Sequence, residues 1–142
     1  MHSKKIFISS DHAGFNLKKN IIQKFSKKQK IVDLGPCSNE SVDYPDYAHK
    51  LSKKVSSNSR NFGILVCGSG TGMAISANKI KTIRAAVCYN LRSTRLSRQH
   101  NNANIIALGS RLTNKSEAMK LIKIFLSTEF EGGRHLRRIK KI

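Results

Sequence analysis

Three short strings of this chain carry side chains able to move a proton or hold an anion. Ser10-Asp11-His12-Ala13-Gly14 sets a carboxylate beside an imidazole, Cys67-Gly68-Ser69-Gly70-Thr71-Gly72 places a thiol before alternating glycines, and Arg98-Gln99-His100-Asn101-Asn102 holds a second imidazole among amides. Glycines at alternate positions let backbone N–H groups close around an anion, which the start of a helix also favours. The loop does not fit a nucleotide loop: GxGxxG needs glycine at Met73 and an acid about 20 residues on, and no Gly-Lys-Ser/Thr closes a P-loop. Cys67, at the loop entrance, has the setting of a thiolate base or nucleophile. Composition leaves a second reading open, a buried cysteine at a strand end. Arg134 and Arg138 are four residues apart, so a helix presents both on one face and turns Arg137 elsewhere, a spacing suited to phosphate. A solvated basic tail is the other reading of that cluster.

The intervening residues predict how these strings are held. Lys5–Ser10 and residues 31–34, 63–67, 83–88 and 104–108 read as five strands, most of them nearly continuous apolar runs, the mark of parallel strands covered on both faces. Leu17, Ile21, Ile22 and Phe25 recur at helical spacing, and Tyr44–Ser56, 73–79 and 116–127 are also helix-compatible. The expectation is an α/β fold: one three-layer α/β/α domain over residues 1–142, with a Rossmann-like five-stranded parallel sheet. In such sheets ligands sit beyond the carboxyl ends of the strands, which puts all three strings on one rim. Gly132 and Gly133 should break the last long helix and leave residues 129–142 as a separately placed basic arm.

With 142 residues, 39% of them apolar, and only two prolines, the chain is expected to fold as one unit and not as a disordered basic tail. Lys+Arg number 27 against 8 Asp+Glu, a formal charge of +19 that makes phosphorylated small molecules, nucleic acid and anionic membrane the first partners to weigh. Aromatic residues are few, at 6%, and the lysine pairs Lys18-Lys19, Lys27-Lys28 and Lys53-Lys54 read as solvated helical faces without interleaved stacking residues. That argues against specific nucleic-acid recognition. No apolar run approaches the roughly 18 residues of a membrane span or the roughly 7–15 of a signal peptide. Cys37, Cys67 and Cys88 form no CxxC pair and are odd in number, which fits free thiols in the cytoplasm.

Six strings occur in the order seen in the family of type B ribose and galactose phosphate isomerases. They are Asp11-His12-Ala13-Gly14, Asp43-Tyr44-Pro45-Asp46-Tyr47-Ala48, Cys67-Gly68-Ser69-Gly70-Thr71-Gly72, Ala77-Asn78-Lys79, Arg98-Gln99-His100-Asn101-Asn102-Ala103-Asn104 and Glu131-Gly132-Gly133-Arg134-His135. The chain resembles that family nearly end to end. The resemblance implies interconversion of ribose 5-phosphate and ribulose 5-phosphate through an enediolate, with no metal or organic cofactor. Cys67 resembles the base between C2 and C1, and the backbone of Gly68, Ser69, Gly70, Thr71 and Gly72 the hole for the developing oxyanion. By the same resemblance Ser69 supports the thiolate, His100 opens the furanose ring, and Asp11 and Asn101 hold sugar hydroxyls. His12, Arg111, Arg134 and Arg138 surround the phosphate, and Tyr44 borders the pocket. The family site lies between subunits, which implies a homodimer or tetramer.

One branch of the family lacks the thiol and uses a glutamate directly after the last loop glycine. Met73 stands there and accepts no proton, which assigns this chain to the cysteine branch. Allose- or galactose-6-phosphate isomerase is the nearest alternative activity, and a basic nucleic-acid-binding module on an enzyme fold the more distant one. Cys37 and Cys88 match no motif and read as packing residues. His49 and His135 read as surface residues, and His2 as terminal.

Overall fold

A strand apolar at every position has two faces to bury, and the computed structural model, which describes residues 4–142, buries both. His2 lies outside the described residues. The strands are β1 (Lys5–Ser10), β2 (Ile31–Asp33), β3 (Asn61–Cys67), β4 (Ala85–Val87) and β5 (Ile105–Gly109), all parallel, in the order β2-β1-β3-β5-β4. On one side Phe62, Ile64 and Val66 of β3 pack with Leu17 and Ile21 of α1 (Phe15–Phe25) and with Leu121, Ile122 and Phe125 of α5 (Lys115–Ser127). Leu65 and Cys67 face the other side, among Ala48, Leu51 and Val55 of α2 (Tyr44–Ser56) and Met73 and Ala77 of α3 (Thr71–Ala77). The expected α/β/α layering is therefore present. β4 is shorter than the apolar run 83–88 predicts, since it is an edge strand that pairs with β5 alone.

From β1 the chain steps outward to β2, then crosses back to β3 on the other side of β1. The connections diverge between β1 and β3, and their carboxyl ends bound the crevice where open α/β sheets bind ligands. Met73, in the position of the alternative glutamate base, is fully buried on the inner face of α3.

One element differs from expectation. Helix α4 (Leu91–Asn101) fills a stretch whose apolar spacing predicts no helix, because its buried residues are Thr94, Ser97 and Arg98. A polar buried face has no apolar period to detect. The Asn90 side chain caps it, accepting the Ser93 N–H at 2.7 Å. The C-terminal residues form α6 (Arg134–Ile139), which touches α4 and buries none of its own residues.

Lys18 overturns the reading of the lysine pairs as uniformly solvated. It is fully buried, and its Nζ donates to Asp33 Oδ1 at 2.8 Å and to the Pro36 carbonyl at 2.7 Å, tying the segment after β2 to α1. Lys19, Lys27, Lys28, Lys53 and Lys54 are exposed as expected. Among the described residues no helix is long and apolar enough to cross a membrane.

Candidate active site

The carboxyl ends of β1, β3 and β5 bring the first group of candidates together. Cys67 ends β3 with its side chain buried, and its Sγ accepts a hydrogen bond from the Gly70 N–H at 3.0 Å. Gly70 makes that turn at φ +80°, a left-handed conformation that glycine adopts without a Cβ clash. The bond expected from Ser69 to the thiol is absent. Ser69 Oγ instead accepts the Thr71 N–H at 3.3 Å, so the sulfur is held by backbone. Asp11 is buried beside the loop, its Oδ1 accepting the Gly14 N–H at 3.0 Å and its own N–H donating to Val66 O at 3.1 Å. His12 is exposed, with Nδ1 accepting the Val42 N–H at 3.3 Å.

Two side chains lean on the glycine loop where a Cβ would block them. Arg111 lies against Gly68, with Nη1 2.9 Å from the place of a Cβ, and the Tyr44 ring lies against Gly72, with Cε2 at 2.7 Å. Arg111 N–H also donates to Gly68 O at 3.0 Å. Ser110 Oγ donates to Ala13 O at 2.8 Å, joining the loops after β5 and β1. One rim thus carries Asp11, His12, Tyr44, Cys67, the loop from Gly68 through Ser69, Gly70 and Thr71 to Gly72, and Arg111.

His100 and Asn101 are not on that rim, contrary to the expectation that all three strings converge. They end α4, and the chain turns directly from there into the amino end of β5: Ala103 N–H donates to Ser97 O at 3.0 Å, and Asn104 N–H to Arg84 O, just before β4, at 3.0 Å. The seven residues of β3 at about 3.3 Å each put the two edges roughly 20 Å apart. At the amino edge His100 meets the C-terminal segment. Its ring stacks on His135 with centroids 4.2 Å apart and planes 12° from parallel, and its Nε2 lies 3.7 Å from Glu131 Oε1. Arg134 and Arg138 sit on α6 beside this pair. The chain therefore holds its candidates as two groups on opposite edges of one sheet.

Two residues at the amino edge escape a reading by residue type. His135 is half-buried against His100 and does not wave freely at the surface. Desolvation, together with the neighbouring His100, Arg134 and Arg138 charges, holds its imidazole below the usual histidine value against the pull of Glu131. Arg98 is buried; its guanidinium donates to Thr128 O at 3.1 Å, Asn102 Oδ1 at 2.9 Å and Ala103 O at 2.6 Å, and it lies over the rings of Phe62 and Phe125. The order of elements holds a signal for the location of His100, since a helix between parallel strands returns to their amino ends. That signal is lost when α4 itself goes unread.

Of the other two thiols, only Cys88 packs as expected. Cys37 is exposed in a loop and Cys88 buried after β4, where burial pushes the Cys88 thiol up against the opposing hydrogen bonds of Thr94 and Ser97. A groove of about 1190 Å³ between α1 and α5 is lined by Lys24, Lys27, Lys28, Lys115, Lys120 and Lys123 and contains none of the candidate residues.

Comparison with known proteins gives the family. The family model described as Ribose/Galactose Isomerase matches residues 6–142. Ribose-5-phosphate isomerase B of Escherichia coli is 41% identical over 140 residues, covering 98% of this chain and 94% of that protein. The crystal structure of ribose-5-phosphate isomerase B from Mycoplasma genitalium with bound ribulose-5-phosphate superposes with a TM-score of 0.94 at 45% identity, covering 99% of this chain and 95% of that one. A ribose 5-phosphate isomerase from Thermotoga maritima does so with a TM-score of 0.94 at 50% identity, covering 99% and 97%. By sequence along nearly its whole length, and by fold, the chain belongs to the ribose/galactose isomerase family.

Proposed function

We propose that this isomerase interconverts ribose 5-phosphate and ribulose 5-phosphate in the cytoplasm, as a step of the non-oxidative pentose phosphate pathway. The Cys67 thiolate takes the proton from C2 of the open-chain aldose. The electron pair left behind forms the C1–C2 double bond and pushes negative charge onto O1, giving an enediolate. Return of the proton to C1 and transfer of the hydroxyl proton from O2 to O1 complete the ketose, so no electron acceptor is needed. N–H groups of the loop from Gly68 to Gly72 bind the developing oxyanion, with Ser69 at its rim. Asp11 and Asn101 hold sugar hydroxyls, Tyr44 borders the pocket, and His12, Arg111, Arg134 and Arg138 bind the phosphate.

The observation that best supports this reading is the Gly70 N–H aimed at Cys67 Sγ at 3.0 Å, at the mouth of a glycine loop in the crevice between β1 and β3. The bond holds the sulfur at the mouth of the loop, where the chemistry requires a base. Since His100 lies roughly 20 Å from Cys67 in the same chain, ring opening at this thiol uses His100 of a second copy. The working unit is then a homodimer, alone or paired into a tetramer, with two shared sites.

The deciding experiment runs the reaction in D₂O. An enediolate with one exchanging base leaves deuterium at C1 of ribulose 5-phosphate and at C2 of recovered ribose 5-phosphate, and Cys67→Ala stops the exchange. Isomerisation without any solvent exchange into either sugar counts against a solvent-accessible thiol base. Turnover of allose 6-phosphate above that of ribose 5-phosphate would transfer the assignment to the six-carbon substrate.

A further inference from the structure

The amino edge contains an arrangement that ring opening alone does not call for. His100, Glu131 and His135 each offer one ligand atom, and the three atoms lie within 4.8 Å of one another. Backbone contacts fix the group: Glu131 N–H donates to Gln99 O at 3.1 Å, directly before His100, and His135 N–H to Gly132 O at 3.1 Å at the start of α6. Both imidazoles are half-buried while Glu131 is exposed, so the cluster is supported from below and open to solvent above.

We propose that His100, Glu131 and His135 form a binding site for a first-row transition-metal dication such as Zn²⁺, and that its occupancy shuts off the isomerase by capturing His100. Two imidazole nitrogens and one carboxylate oxygen suit zinc, copper, nickel or cobalt and not magnesium or calcium, which prefer all-oxygen sites. Bonds of about 2.0–2.2 Å in a tetrahedron need donors roughly 3.3 Å apart. In the stacked arrangement the two rings aim their nitrogens side by side, so binding turns His135 out of the stack and swings Glu131 inward until the three donors meet at one ion, while the backbone stays tied. Three protein ligands leave a fourth position for water or for a further donor. The Arg134 and Arg138 guanidiniums oppose any cation here, which selects ions held by bonds to nitrogen over ions held by charge alone. The ion is an inhibitor and not a cofactor, because a metal on the His100 nitrogen occupies the lone pair that would exchange the ring proton.

The inhibitory half of the proposal rests on the role given to His100 under the proposed function, whereas the binding half does not. The test uses the full chain, stripped with EDTA, in buffer free of phosphate and thiols, and titrated with zinc or cobalt chloride. One ion per chain is expected. The cobalt form should show four-coordinate d–d bands without a thiolate-to-cobalt charge-transfer band. Glu131→Gln and His135→Gln, both outside the core, should each weaken binding at least tenfold. Zinc should inhibit the wild-type protein reversibly, with EDTA restoring turnover, and the inhibitory concentration should rise at least tenfold in His135→Gln. Binding unchanged in both variants, or a strong thiolate band, overturns the site. Binding at the site without inhibition overturns the shut-off. A metal-free protein inactive on ribose 5-phosphate would instead remove the proposed function, while the titration still reads the site.

Discussion

Gly70 donates its backbone N–H to Cys67 Sγ at 3.0 Å across a turn that bends at φ +80°. The thiol proposed as the base is thus held by main chain, at the end of a strand sealed in the sheet.

In the proposed mechanism Cys67→Ala removes a group that acts on the transition state and touches the ground state little. It should abolish isomerisation while leaving binding of ribose 5-phosphate within a few-fold of wild type, measured by calorimetry beside turnover. Residual turnover within tenfold of wild type would show that another group is the base.

Alkylation should separate the three thiols. Iodoacetamide should modify exposed Cys37 first and spare Cys88, whose burial keeps it protonated, and saturating ribose 5-phosphate should slow modification at Cys67 alone. Peptide mass mapping reads all three at once, and equal protection at every cysteine would point to a general tightening of the fold.

The separation of His100 from Cys67 predicts complementation between two inactive proteins. Cys67→Ala and His100→Asn chains refolded together at equal amounts should form hybrids in half of the dimers, each with one intact site, giving about one quarter of wild-type turnover of ribose 5-phosphate. Activity no greater than the sum of the two separate preparations would mean that the chain does not share its site.

Arg134→Ala and Arg138→Ala should raise KM more than they lower kcat, because the phosphate binds alike in ground and transition states. Each charge-assisted contact is worth about 1.5–3 kcal/mol, so kcat/KM should fall roughly ten- to a hundredfold. Arg137→Ala, turned to another face of α6, is the control, and steady-state kinetics on all three would expose a nonspecific charge effect as three equal losses.

Lys18→Met tests the buried ammonium. Loss of its bond to the Pro36 carbonyl leaves that acceptor without its donor, at a cost of about 1–3 kcal/mol. A thermal melt should show Tm lower by several degrees, and an unchanged melt would mean that water replaces the ammonium. Lys19→Met, on the exposed neighbour, should leave the melt unmoved.

What could be read from the residues follows from how each signals its surroundings. The strands were legible because a parallel strand buried on two faces, like β3 with Phe62, Ile64 and Val66 on one side and Leu65 and Cys67 on the other, has no polar position to disguise it. The carboxyl-edge group was legible for a related reason: Asp11 and Cys67 directly follow or end strands, so chain position gives place. α4 was illegible because Thr94, Ser97 and Arg98 fill its inner face, and with it went the location of His100. Lys18 misled for the same reason as Arg98: both are charged side chains whose burial depends on carbonyl and carboxylate partners distant in the sequence.

Arg98 also links parts of the molecule with otherwise separate duties. Its donors reach the end of α5 through Thr128 and the turn into β5 through Asn102 and Ala103, while its flat face rests on Phe62 and Phe125. His100 stands two residues further along the same helix, so its seat is inherited from the hydrophobic layer beneath. A lysine in place of Arg98 has neither the planar fork nor the flat surface to keep those attachments. Drift in that aromatic layer is therefore felt at the imidazole well before the sheet itself gives way, and tolerance to change in this half of the core is set by the chemistry at its edge.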